Sequence, residues 1–224
     1  MATRLLHLKK HVKNKHMSQI IDGKMVAETM KVAIGEEVKQ MVAAGQKAPH
    51  LVAILVGNNG ASETYVANKV KSCEELGFAS TLLRFDTSIS EADLLAEVQK
   101  VNDNPEMDGL IVQLPLPKHI NPDKVMETIH PSKDVDGFHP TNFGRMALEM
   151  ETFLPATPYG IMELLERYKV ETAGKNVVVI GRSHIVGRPM SILLSRKGYP
   201  GDATVTLTHS RTKNIAEITR EADI

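Results

Sequence analysis

Net charge is missing from this chain, and so is a cysteine framework: 224 residues carry 27 Lys plus Arg against 27 Asp plus Glu, with Cys73 the only cysteine. A balanced charge leaves no broad basic surface of the kind that nucleic-acid binding requires, so no nucleic-acid partner is expected. A lone thiol excludes an intrachain disulfide and a multi-cysteine zinc site, fits a reducing compartment and reads as a small helix residue. Long apolar runs are also absent. None approaches the roughly 18–20 residues that a membrane-spanning helix needs, so no membrane partner is expected and the chain reads as soluble and cytoplasmic. Acids are missing locally from residues 1–17, MATRLLHLKKHVKNKHM, which superficially resemble a mitochondrial targeting presequence. That stretch lacks serine, and a well-patterned region opens at Met17-Ser18, so it is set aside as a basic, disordered extension.

What is present is a strict alternation of two hydropathy periods. Met25, Val26, Met30, Val32, Ala33, Val38, Met41 and Val42 recur at helical spacing over residues 22–44, with Gly45 as a stop. LVAILVG (51–57) is a continuous apolar run, as in a strand buried on both faces of a parallel sheet. The pattern continues with a helix over 62–76, a strand over 80–85, a helix over 91–102, a strand over 109–114 and a short helix over 123–129. Pro131, Pro140, Pro155 and Pro158 then interrupt it, and residues 130–158 read as a junction with no long regular element. The rhythm resumes with a helix over 159–168, a strand over 176–180, a helix over 187–197, a strand over 203–208 and a helix over 214–220, leading to an incipient strand at 222–224. The expected fold is therefore α/β, with two doubly wound domains spanning 18–157 and 158–224. The second is a Rossmann-like unit with too few strands to be complete.

In NVVVIGRSHIVGRP (176–189) an apolar strand runs into Gly181, and Gly187 and Pro189 stand where a helix should begin. Free backbone N–H groups at that helix start would bind a pyrophosphate. The spacing departs from G-x-G-x-x-G, because Ser183 replaces the second glycine, and a ligand-free strand-to-helix turn remains an alternative. The following strand ends in His209-Ser210-Arg211 with no carboxylate for an NAD ribose. Arg182, Ser210 and Arg211 suit the 2′-phosphate of NADP, unless the arginines are solvated surface charges.

In the first half, Tyr65 and Lys69 are four apart and share a helix face, while Val66 and Val70 face the core. Alone they read equally as an exposed pair. Gln113 ends the apolar run GLIVQL just before Pro115 and Pro117, where an open sheet presents its ligand crevice. Asp136 lies in KDVDGFHP, where a carboxylate can meet a ligand between domains, although Asp134 and Asp136 equally suit a turn. Asp134, Asp136 and His139 lack a metal-ligand spacing, so no metal is expected.

Five segments in order, YVANK (65–69), GLIVQLPLP (109–117), KDVDGFHPTNFGR (133–145), PATPYG (155–160) and GRSHIVGRP (181–189), resemble the bifunctional methylenetetrahydrofolate dehydrogenase/cyclohydrolase family. The resemblance spans about residues 18–224. It implies NADP-dependent oxidation of 5,10-methylenetetrahydrofolate, then hydrolysis of the methenyl cation to 10-formyltetrahydrofolate at one folate site. It further implies that Lys69 polarises the one-carbon unit and manages proton transfer, that Gln113 holds Lys69, that Tyr65 stacks on the aminobenzoate ring and that Asp136 accepts hydrogen bonds from the pterin. Leu114 and Pro115 join the folate-binding set. Gly181, Arg182, Ser183, Ile185, Val186, Gly187, Pro189, His209, Ser210 and Arg211 form the NADP set. A homodimer through the second domain is implied as well, as is a longer chain than the one read here. A cyclohydrolase-only or non-catalytic binding module, or another two-domain NAD(P) dehydrogenase, are the alternatives.

Overall fold

The computed structural model describes residues 19–224, and the basic extension lies outside them. The first helix, α1 (Gly23–Ala43), starts where the Asp22 side chain accepts the Met25 N–H at 3.0 Å. Strand β1 (His50–Val56) follows, and Asn59 caps α2 (Gly60–Leu76), which Gly77 ends in the left-handed conformation. Then come β2 (Ala79–Phe85), α3 (Glu91–Asp103), β3 (Gly109–Val112) and α4 (Pro122–Thr128).

The three strands form one parallel sheet in the order β2-β1-β3. Alternate side chains of β1 serve opposite faces. Val52, Ile54 and Val56 pack with Leu94, Val98 and Val101 of α3 and with Val125 of α4. Ala53 and Leu55 pack with Val66 of α2. The sheet is covered on both faces, as the continuous apolar run predicts, and each fully buried Ile or Leu contributes roughly 1.5–3 kcal/mol. The third strand stops two residues earlier than the pattern predicts, since Pro115 has no N–H to extend the ladder.

Residues 130–158 contain a helix that the prolines conceal. It is α5 (Pro140–Ala147), with Pro140 in its first turn and His139 Nδ1 accepting the Thr141 N–H at 3.0 Å. The next helix, α6 (Ala156–Arg167), begins three residues ahead of the expected start, with Pro158 in the first turn where no N–H is needed. Strand β4 (Asn176–Ile180), α7 (Gly187–Ser195), β5 (Thr204–Thr208) and α8 (Ile215–Arg220) complete the order. β4 and β5 are parallel. Residues 222–224 come alongside the other edge of β4, where the Val178 N–H donates to the Ile224 carbonyl at 2.9 Å. A second core joins Met162 and Leu165 of α6, Val177 of β4, and Met190, Leu193 and Leu194 of α7, and Met146 of α5 packs into it.

Candidate active site

The crossovers leave β1 toward β2 on one side and return to β3 on the other, so the connections diverge at the carboxyl ends of β1 and β3. Open parallel sheets bind ligands in the crevice created by such a divergence. A cleft of about 360 Å³ lies there, with Tyr65 and Lys69 contributed by α2, Gln113 and Leu114 by the end of β3, and Asp136 and Phe138 by the next loop. Ala156 and Thr157 at the start of α6 and Ile185 of the second unit form the facing wall. The residues singled out from sequence in the first half therefore converge, except Pro115, which is exposed and outside the lining. Val112, Phe138, Ala156 and Thr157 also line the cleft and are not singled out by the sequence pattern. The signal for the last two was PATP, a proline pair bracketing a helix start.

The polar groups in the cleft are largely unspent. Gln113 donates its main-chain N–H to the Ile54 carbonyl at 2.9 Å and its side-chain Nε2 to the Leu114 carbonyl at 2.8 Å, and its Oε1 has no partner among the described residues. Lys69, half-buried, has no ion-pair partner among the described residues. Burial pushes the Asp136 carboxyl above its ordinary range; the Lys69 ammonium pulls it back and the Asp134 charge raises it further. Asp134 does not face the cleft chemistry. It is 1% exposed and accepts the main-chain N–H groups of Phe138 at 3.2 Å and His139 at 2.8 Å. Of the two aspartates, Asp134 shapes the turn and Asp136 lines the cleft. No cluster of potential metal ligands occurs among the described residues.

The turn after β4 differs in one respect from expectation. Gly181 has φ +117°, and a Cβ on Gly187 would strike the Gly181 carbonyl, so these two glycines let the turn close on itself. The N–H groups at the start of α7 are not free, however. Ser183 Oγ accepts those of Val186 at 3.1 Å and Gly187 at 3.3 Å, its carbonyl accepts that of Arg188 at 3.0 Å, and Pro189 has none. Around this turn, the main-chain N–H groups without partners among the described residues belong instead to the loop residues 182–185 and not to the helix end. Arg182, Ser210 and Arg211 are all exposed; His209 Nδ1 accepts the Arg211 N–H at 3.2 Å, folding the end of β5 into a turn without an acid.

A parallel α/β chain whose dinucleotide turn faces a lysine- and aspartate-bearing cleft defines a two-unit nicotinamide-dependent enzyme. Residues 21–136 match the tetrahydrofolate dehydrogenase/cyclohydrolase catalytic domain and residues 155–224 match the NAD(P)-binding domain of the same enzymes. The chain belongs to the tetrahydrofolate dehydrogenase/cyclohydrolase family. It is 67% identical over 206 residues to the bifunctional protein FolD of Flavobacterium johnsoniae, covering 92% of this chain and 70% of that protein. The bifunctional FolD enzyme of Campylobacter jejuni superposes with a TM-score of 0.87 at 43% identity, over 92% of this chain and 71% of that one. The Trypanosoma brucei dehydrogenase-cyclohydrolase, solved with NADP cofactor and an inhibitor, gives 0.86 at 35% identity, over 92% and 70%. No described helix is long and apolar enough to cross a membrane.

Proposed function

We infer that the protein oxidises 5,10-methylenetetrahydrofolate with NADP to 5,10-methenyltetrahydrofolate and hydrolyses that cation to 10-formyltetrahydrofolate, serving folate one-carbon metabolism. The observation that carries this reading is the single cleft in which Lys69, Gln113 and Asp136 meet Ile185 of the dinucleotide turn. NADP, when bound, supplies the hydride acceptor. The second unit fits it: the loop N–H groups of 182–185 suit a diphosphate, and Arg182, Ser210 and Arg211 suit a 2′-phosphate that a carboxylate would repel. Gly181, Val186, Gly187 and Pro189 shape that turn, Ser183 closes it, and His209 orients Arg211.

For the folate, the exposed Tyr65 ring offers a stacking face for the aminobenzoate, and the Asp136 carboxylate accepts pterin N–H donors. Leu114 contributes apolar lining to the cleft, and Pro115 follows it in the turn beyond. Hydride transfer asks only that the two reacting carbons be held in line. Hydrolysis asks for a group that manages the proton of the attacking water, and Lys69 is the half-buried amine beside that position, with Gln113 Oε1 free to hold it.

Residues 18–157 form the folate unit and 158–224 the cofactor unit in this reading, with α5 packed at the join. It extends to a cytoplasmic homodimer formed through the cofactor unit, where Ile180 leaves an apolar side chain 66% exposed. Lys69→Met tests the assignment. Loss of general acid–base help should lower methenyltetrahydrofolate hydrolysis by on the order of 10²–10⁴ while folate still binds. Followed by absorbance, hydrolysis at the parent rate would remove Lys69 from the reaction.

A further inference from the structure

Two polar side chains buried to within 3% of complete, Asp134 and Asn142, touch each other behind the cleft. A buried carboxylate is tolerated only when its acceptors are filled. Asn142 Nδ2 fills one at 2.8 Å, beside the Phe138 and His139 N–H groups, and also donates to the Pro131 carbonyl at 2.8 Å. The carboxylate and the Pro131 carbonyl are acceptors only, so both draw Nδ2 and turn Oδ1 the other way, where Thr152 Oγ1 donates to it at 2.8 Å. Thr152 lies on the connector between α5 and α6. Two residues on, that connector meets the same loop again, because the ideal Cβ position of Gly137 lies 2.6 Å from the Leu154 carbonyl carbon. The loop carrying Asp136 is thus held on both sides by the segment that joins the two units.

We propose that Asn142, locked by Thr152, is a positioning residue that sets the Asp136 carboxylate in the folate cleft and ties it to the connector. The proposal rests on the reading that Asp136 binds the folate. In Thr152→Val the hydroxyl is lost at nearly constant volume, the buried Asn142 Oδ1 is left without its donor, and the loop relaxes outward to let water reach it. Loss of one such buried hydrogen bond corresponds to about a five- to tenfold rise in KM for methenyltetrahydrofolate, with KM for NADP unchanged. As Asp136 moves toward water its carboxyl falls back toward the ordinary range, so the acid limb of kcat/KM for hydrolysis shifts to lower pH. Thr152→Ser, which keeps the donor, should restore both values. Thr152→Ala repeats the lesion without a branched side chain if valine disturbs folding. A purely structural role would lower the melting temperature and the amount of active enzyme, leaving KM and the pH profile of the folded fraction in place. Equal effects of Thr152→Ser and Thr152→Val, or no shift in KM and pH profile with Thr152→Val and Thr152→Ala, overturn the proposal while a raised KM in Asp136→Asn keeps the folate reading. An unchanged KM in Asp136→Asn overturns the folate role of Asp136, and the positioning role with it.

Discussion

Replacing Gly137 by alanine isolates how tightly the folate loop is closed on the connector. Two glycines share nearly one φ, Gly137 at +68° and Gly174 at +69°, yet their surroundings differ. A Cβ on Gly174 meets nothing within 4 Å, whereas on Gly137 it falls 2.6 Å from the Leu154 carbonyl carbon and 2.7 Å from the Pro155 nitrogen. Those are backbone atoms and cannot swing aside. Placing an L side chain in the left-handed region costs roughly 1–2 kcal/mol at either site. Only Gly137→Ala adds an overpacking cost, about 1–3 kcal/mol. At roughly 2–4 °C per kcal/mol for a chain of this length, Gly137→Ala should melt about 2–12 °C below Gly174→Ala. Calorimetry or circular dichroism reads the difference, and KM for the folate should rise only in Gly137→Ala. Equal melting temperatures in the two variants, with equal KM values, would show that the loop is not closed on the connector as described.

Two further outcomes follow from charge. The Asp136 carboxyl is held above its ordinary value by burial, so the folded protein binds the proton more tightly than the unfolded chain does and stability falls as pH rises from about 4 through the raised folded value. Asp136→Asn should therefore melt higher than the parent at pH 7 and match it more closely near pH 3; a lower melting temperature at pH 7 would contradict the burial argument. Arg182→Ala with Arg211→Ala should weaken NADP by roughly 10- to 100-fold, as loss of one to two charge-assisted hydrogen bonds implies, and leave NAD nearly unaffected. Isothermal titration measures both, and equal losses would remove the 2′-phosphate assignment.

Most of the element order was readable from the chain because each element carries its own period and its own stop, as β1 does with five buried residues in succession before Gly57. The cleft residues were readable for a related reason. Gln113 is polar where an apolar strand ends, and Lys69 shares a helix face with the polar-tipped Tyr65 one turn earlier. Three features were not. Helix α5 was hidden because Pro140, a breaker inside a helix, is favourable in its first turn, and only the neighbouring cap distinguishes the two. The division of labour between Asp134 and Asp136 depends on which N–H groups come within reach, a matter of loop closure that spacing does not encode. The capping of α7 by Ser183 was likewise invisible, since a serine in a glycine-rich turn reads equally as a ligand contact and as a substitute for glycine.

Ile185 lies on the loop of unpartnered N–H groups at 182–185, and it also lines the cleft that holds Lys69 and Asp136. A dinucleotide on that loop and a folate in the cleft would therefore share a surface. Whatever factor NADP imposes on the affinity for folate, folate must impose on the affinity for NADP, because the two orders of binding close the same cycle. The order in which substrate and cofactor enter is thus a kinetic property of this enzyme, while the strength of any mutual influence is a single equilibrium quantity, read equally from either ligand.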